Sequence, residues 1–214
     1  MAHLSNVKYG SGDWRNNKTD AVAVGIYEDL KMSRQIQGVN RELGRGISNA
    51  LSANLLKGKI GEVKIIIGKK GNLAFVFGLG KVGNLVPETL RKAAAGVSKL
   101  CISNSVSSVS FLIPKEAKDD YISQAAAEGL VLGSYQFNEF KTTGEKPFNI
   151  KSAIILGGNK KAITKGAIIA EGVCLARNLE NRPGNVSTPS HLADHARKIG
   201  KTPDMKVTVF EREK

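Results

Sequence analysis

Three short stretches of this sequence hold residue types that can do chemistry. HLADH, from His191 to His195, sets two imidazoles four residues apart. On a helix they share a face, the geometry with which H-E-x-x-H binds zinc. Leu192 stands where the glutamate general base would be, and no third ligand lies nearby in sequence. The pair therefore reads as surface histidines of an ordinary helix. GLGKVG, with Gly78, Gly80 and Gly83, matches the G-x-G-x-x-G of dinucleotide sites, where glycines let backbone amides approach a pyrophosphate at a helix N-terminus. The acidic residue that such a site needs about 20 residues further on is missing; the chain reads CISNSVSS there. Pro87 also places the helix start several residues beyond the last glycine. The stretch reads as a flexible strand-to-helix turn. Cys101 and Cys174, the two cysteines, each fall in apolar helical context. Two isolated cysteines make neither a disulfide framework nor a zinc site, and they read as buried, reduced thiols. LGGNK (156–160) and GEKPF (144–148) read as turns. No complete P-loop pattern and no G-x-S-x-G nucleophile elbow occurs. On the residues alone, no catalytic, cofactor-binding or metal-binding side chain is assigned.

These stretches are set into an alternation of strands and helices. AVAVGIY (21–27) is a short, valine-rich apolar run and predicts a buried strand. Between 32 and 55, Ile36, Val39, Leu43, Ile47, Leu51 and Leu55 recur at helical spacing, interrupted by glycines. EVKIII (62–67) and NLAFVF (72–77) flank GKKG and predict a hairpin. A helix is predicted from Pro87, because proline suits a first turn whose N–H has no intrahelical partner. SVSSVSFLI (105–113) predicts a strand ending at Pro114. The segment 115–137 predicts a longer helix that buries Tyr121, Ala125, Leu130 and Leu132. A polar loop (138–149), a strand (150–158) and a long amphipathic helix follow, the last with Ile163, Ala167, Ala170, Cys174 and Leu175 along one side. This order predicts an α/β sandwich with a mixed, mostly parallel sheet.

The chain of 214 residues is 41% hydrophobic and 24% charged, ordinary values for a globular protein with a real core. No apolar run reaches membrane-spanning length, and MAHLSNVKYGSGDWRNN has no apolar core of a secretory signal. The formal charge of +13 favours anionic partners such as nucleic acid. The lysines are scattered, however, with short clusters at GKK (68–70) and NKK (159–161), and read mainly as solvated surface. Weak nucleic-acid contact stays open on charge alone.

Several stretches together resemble the leucyl aminopeptidases, the dinuclear-metal cytosol aminopeptidases. They are FVFGLGK (75–81), AAAEGLVLGSYQFNEFKT (125–142) and EGVCLARNLENRPGNVSTPSHLADHARKI (171–199). In that family an alanine-rich helix ends in GLxLGxYxF, and a connecting helix carries ARxLxNxPxNxxTP into the catalytic domain. The similarity runs from about Thr19 to Phe210. Local physics explains part of the motif. Arg182 precedes Pro183 and is biased to extended backbone, Gly184 and Asn185 permit a turn, and Thr188 with Pro189 suits a helix N-cap and first position.

The resemblance implies a macro-domain-like three-layer α/β/α domain over 1–158, a connecting helix over 159–181 and a truncated beginning of the catalytic domain over 182–214. MKVTVF (205–210) is then expected as that domain's first strand. The segment 182–214 is expected to be mobile or loosely docked, since its apolar face evolved to pack on a sheet outside this chain. The resemblance further implies a cytoplasmic protein whose intact form is a hexameric exopeptidase releasing N-terminal residues from peptides. Two divalent metals, zinc or manganese, would be held by a lysine, aspartates and a glutamate, and would activate the attacking water. The family hallmark NTDAEGR does not occur here, so this chain is expected to hold no metal and to be inactive alone, a non-catalytic fragment. An alternative reading is a macro-like binding module for ADP-ribose, another nucleotide or DNA, with GLGKVG and ILGGN as glycine-rich loops near phosphates.

Overall fold

A computed structural model of the chain describes residues 3–68, 71–117, 119–144, 147–201 and 205–210. The elements in chain order are β1 (Val7–Gly10), a short 3-10 turn (Trp14–Asn16), β2 (Ala21–Ile26), α1 (Arg34–Glu42), α2 (Gly46–Ser52), β3 (Val63–Ile67) and β4 (Leu73–Gly78). Then come α3 (Pro87–Ser103), β5 (Ser108–Leu112), α4 (Asp120–Gly133), β6 (Ser152–Leu156), α5 (Lys160–Glu180) and α6 (Pro189–Gly200). Two compact units are present, residues 1–174 and 175–214.

The first unit is built on one six-stranded sheet of order β1-β6-β5-β2-β4-β3. Every pairing is parallel except β3 with β4, which form the hairpin expected around GKKG. Lys69 and Lys70 of that turn lie outside the described residues, as do Glu145 and Lys146 of GEKPF. Both faces of the sheet are covered, as a mostly parallel sheet requires. Alternation along the strands divides the side chains between two cores. Ala21, Ala23, Phe75, Phe77, Val109, Phe111 and Ile155 meet α3 and α4 through Leu90, Val97, Cys101, Ile122 and Leu130. Val22, Val24, Ile26, Ala74 and Val76 meet α1 and α2 through Ile36, Val39, Leu43 and Ile47. This is the three-layer α/β/α architecture.

Small residues on β2 let its neighbours meet over it. Phe77 of β4 pairs in register with Gly25, and Phe111 of β5 with Ala23. The two rings stack at 4.9 Å between centroids, and a Cβ on Gly25 would lie 2.6 Å from the Phe77 ring.

Helix ends follow their capping residues. Ser33 caps α1, Asp119 caps α4, and Pro87 occupies the first turn of α3. The helical run predicted over 32–55 is two helices, because Gly44 and Arg45 turn left-handed between them (φ 58° and 67°). Asn40 clasps the break, donating to Ser48 Oγ at 2.7 Å and accepting from the Ser48 amide at 3.0 Å. The helix predicted over 115–137 is shorter, since the Asp119 cap sets its start and it ends at Gly133; Lys118 lies outside the described residues. Tyr121, expected to be buried, is 65% exposed. Ala125 and Leu130 are buried as expected, together with Ile122, Ala126, Ala127 and Val131, residues on more than one face of the helix.

Asp20 ties the start of β2 to that of β5. Its carboxylate accepts from the Ser107 amide (3.0 Å), the Ser107 hydroxyl (2.7 Å) and the Ser108 amide (2.8 Å). These bonds, the Ser107 hydroxyl foremost, outweigh desolvation and hold its pKa below the ordinary value. A depressed carboxylate stabilises the fold above the unfolded pKa of about 3.9, and that contribution is lost as pH falls through the folded value. Asp20→Asn is therefore expected to cost about 1 kcal/mol at neutral pH, kept small because the group is solvent-screened. The deficit relative to wild type should shrink as pH falls below the unfolded value and vanish once it has passed the lowered folded value. Urea denaturation across the acid range checks this, and a deficit that does not change with pH would contradict it.

In the second unit, Thr188 Oγ accepts from the His191 amide at 3.3 Å and Pro189 opens α6, as the sequence predicted. MKVTVF does not form the expected strand: residues 205–210 carry no regular structure. A strand needs a ladder partner, and among the described residues none pairs with it. Val207 instead rests against Gly200 at the end of α6, where a Cβ would lie 2.4 Å from its methyl group.

Candidate functional site

A concave feature that combines charge with backbone access lies at the carboxyl ends of β1, β5 and β6, a cleft of about 410 Å³. Its floor is Gly10, Leu112 and Leu156. One wall is α1, presenting Arg34, Gly38 and Arg41; the other walls are the segment Ser11–Arg15, the run Ile113–Lys115 after β5, and Gly157–Gly158 after β6. The sequence folds this way because β2 hands the chain to α1 on one face of the sheet, whereas β5 hands it to α4 on the other. Such a reversal opens a crevice outside the strand ends, where α/β proteins bind ligands.

Four cations line the cleft, Arg15, Arg34, Arg41 and Lys115, against one carboxylate, Asp13. Asp13 is already engaged: the Arg15 guanidinium ion-pairs with it and, chiefly through that hydrogen bond, brings its pKa down to about 2. Arg15 also reaches Glu42 at 3.6 Å. Among the described residues Arg34, Arg41 and Lys115 have no ion-pair partner and are exposed. Sequence reading missed this cluster because its members lie on separate elements; Arg34, Gly38 and Arg41, at helical spacing, are the one signal that was legible.

The two glycine-rich loops part company. ILGGN lines the cleft, with Gly157 and Gly158 at φ 88° and 70°. GLGKVG lies elsewhere; Gly78 and Gly80 sit against close neighbours, whereas a Cβ on Gly83 would meet nothing within 4 Å. A Cβ on Gly78 would lie 1.9 Å from the Lys59 carbonyl oxygen. The Gly78 amide donates to the Glu62 carbonyl (2.9 Å), that of Gly80 to the Gly58 carbonyl (2.8 Å), and the Gly80 carbonyl accepts from Glu28 (2.9 Å). The stretch is a turn, as read, but one pinned to neighbouring backbone rather than loose.

His191 and His195 do share a face of α6, their rings 4.7 Å apart edge to face. Both are half-buried rather than fully on the surface. Arg182 lies 2.7 Å from His191 Nε2. A guanidinium only donates, so that nitrogen is an unprotonated acceptor already in use. Burial first, then the neighbouring His191 and the cations Lys198 and Arg182, lower the His195 pKa. The surroundings favour a neutral His195. Among the described residues no group of three or more His, Cys, Asp or Glu side chains could hold a metal ion.

Cys101 and Cys174 are buried, and neither forms a disulfide. Burial, helped slightly by the Asp20 charge, pushes the Cys101 thiol up to about 12. Neither thiol is expected to react with Ellman's reagent at neutral pH until the protein unfolds. Two equivalents released at once from native protein would contradict the buried placement.

The architecture and the motifs can now be set beside known proteins. The profile of the cytosol aminopeptidase family, N-terminal domain, matches residues 23–144. A probable cytosol aminopeptidase of Aquifex aeolicus is 33% identical over 205 residues, covering 93% of this chain and 41% of the relative. One from Nostoc punctiforme is 31% identical over 202 residues, covering 91% and 41%. The chain thus spans about two fifths of the length of the curated relatives it matches. Among solved structures, a tomato leucine aminopeptidase mutant superposes with a TM-score of 0.79 at 23% identity, over 94% of this chain and 43% of that one. The bottromycin maturation enzyme BotP in complex with Mn gives 0.67 at 24% identity, over 86% and 36%. These two likenesses establish the fold alone. The profile match takes in more than half of the chain, from within β2 to the loop after α4, and on it the chain belongs to the cytosol aminopeptidase family and carries that family's N-terminal domain.

Proposed function

We infer that this chain is the non-catalytic N-terminal part of an aminopeptidase, a fragment whose intact form releases N-terminal amino acids from peptides at a dinuclear metal centre. The observation that carries the reading is the family match over 23–144 in a chain spanning only two fifths of its relatives. The domain division that goes with it is 1–158 for the N-terminal domain, 159–181 for the connecting helix and 182–214 for the first residues of the catalytic domain. The described residues do not fit a dinuclear centre, so the two divalent metals, zinc or manganese, are assigned to the rest of the protein. No step of hydrolysis is routed through a residue of this chain.

The domain's role is positional. Its sheet is closely packed between helical layers on both faces. In the intact enzyme such a body would flank the active site and limit which peptides reach it, within a homo-hexamer in the cytoplasm. The name of the relatives supports the location, and among the described residues no helix is long and apolar enough to cross a membrane.

The test is an assay on Leu-p-nitroanilide with added manganese. The purified 214-residue chain is expected to give no turnover above the blank, and a longer protein continuing beyond Lys214 is expected to be active. Clear turnover by the chain alone would overturn the assignment.

A further inference from the structure

We propose that the outer edge of β3 is a docking site for an extended segment of a partner protein in which acidic and apolar residues alternate. The surface goes beyond the aminopeptidase reading and stands or falls separately from it.

β3 closes one side of the sheet, with β4 as its only strand neighbour among the described residues. The direction of its backbone groups follows from the register. Val63 lies opposite Phe77 and Ile67 opposite Leu73. The Gly78 amide donates to the Glu62 carbonyl (2.9 Å), and the Gly68 amide donates to the Asn72 carbonyl (2.8 Å). Antiparallel partners exchange bonds at every second residue, so Glu62, Lys64, Ile66 and Gly68 face β4. Val63, Ile65 and Ile67 turn their amides and carbonyls outward, and among the described residues no backbone hydrogen bond reaches them. Three outward pairs about 7 Å apart form a template to which another strand can add.

The side chains define what that strand must carry. Val63, Ile65 and Ile67 share the α3 face by the two-residue period of a strand. Val63 and Ile65 pack on the core there but stay half-buried, and Ile67 is 68% exposed. Apolar residues opposite them would cover this row, because opposed side chains on one face of a sheet touch. Lys64 lies on the other face and is exposed, which favours acidic residues there. The stretch from Lys57 to Lys70 holds five lysines against one acid, Glu62, and the Glu62 carboxylate already accepts from the Lys57 amide at 2.9 Å. The same charge turns away a second copy. Two β3 strands laid antiparallel about Ile65 would set the lysine-bearing ends of both copies against each other.

The probe is the labelled peptide acetyl-Glu-Val-Glu-Val-Glu-Val-Glu-amide, titrated into the full 214-residue chain and followed by fluorescence anisotropy. Saturation is expected below about 1 mM. The counterpart with lysine in place of glutamate should bind at least about tenfold more weakly. So should the acidic peptide N-methylated throughout, which has no amide to donate to a ladder. Lys64→Glu keeps the backbone edge and should weaken the acidic peptide about fivefold or more. Hydrogen exchange adds a readout that charge alone does not move. In the free chain the amides of Val63, Ile65 and Ile67 should exchange faster than those of Lys64 and Ile66, and the acidic peptide should slow the first three at least about tenfold.

Absence of saturable binding would overturn the proposal, as would equal affinity for the acidic, lysine and N-methylated peptides or an affinity untouched by Lys64→Glu. Binding that leaves the three amides unprotected would place the peptide elsewhere and overturn it too. A free chain that sediments as a dimer with those amides already protected would replace the partner with a second copy.

Discussion

Gly129→Ala is expected to lower the unfolding free energy by about 2–3 kcal/mol, whereas the same change at Gly172 should raise it by about 0.5–1 kcal/mol. Both positions are interior to helices, so the propensity gain of alanine is common to them. They differ in what surrounds them. A Cβ at Gly129 would lie 2.3 Å from the Arg91 carbonyl oxygen and 2.8 Å from the Ala94 methyl; at Gly172 it would meet nothing within 4 Å. One turn further along α4, a Cβ at Gly133 would lie 2.5 Å from the Ala95 Cα. The α3–α4 contact is thus backbone against backbone. A flexible side chain could swing aside, but a main-chain carbonyl moves only if the helix moves, and the core beneath it moves with it. Urea and thermal unfolding of the two variants give the comparison directly. Stabilisation at both sites would mean that helix propensity, and not the approach of α3, governs position 129.

The second large effect is expected at Arg91. Its Nε and Nη2 reach Glu128 Oε2 at 2.8 and 2.7 Å, and it also pairs with Glu88. The Glu128 side chain is only 9% exposed, and its other oxygen accepts from Gln124 Nε2 at 2.6 Å. Arg91→Met would leave that carboxylate desolvated with one neutral partner. Breaking a fully buried pair from one side costs about 3–5 kcal/mol. Because Arg91 is 33% exposed and water can follow its removal, a loss of about 2–3 kcal/mol is expected here. Glu128→Gln in the Arg91→Met background should recover much of it, since the uncompensated charge is gone. A double variant as unstable as the single one would argue that Arg91 acts by packing its aliphatic stem and not by its charge.

Much of the layer order was legible in the residues. The valine-rich run at 21–27, the hairpin around GKKG and Pro87 at a helix start each record a local rule, and each element forms where its rule places it. What stayed hidden depends on partners distant in sequence. β1 was missed because VKYG is four residues long and becomes a strand only by pairing with Ser152–Leu156. MKVTVF has the composition of a strand but no ladder to join. Tyr121 misled because α4 is packed on more than one side, so that apolar content there does not mark a single inward stripe. The cationic cleft left almost no trace, since Arg34 and Arg41 are ordinary helix-surface residues until Lys115 and the Gly157 turn are folded opposite them.

The pairing of the first strand with the last has a consequence for how the molecule is made. Val7–Gly10 lies in register with Ala153–Leu156, and the Leu4 amide donates to Ser134 Oγ at 2.8 Å. A ribosome releases the amino-terminal segment first, yet its place in the sheet does not exist until residue 156 has left the exit tunnel. Until then that segment waits as unpaired chain while β2 to β5 assemble without it, and the β6 edge it will cover is the last of the sheet to appear. Closure across so long a loop is slow, and until it happens the nascent protein exposes a bare strand edge to which chaperones or a neighbouring copy could pair.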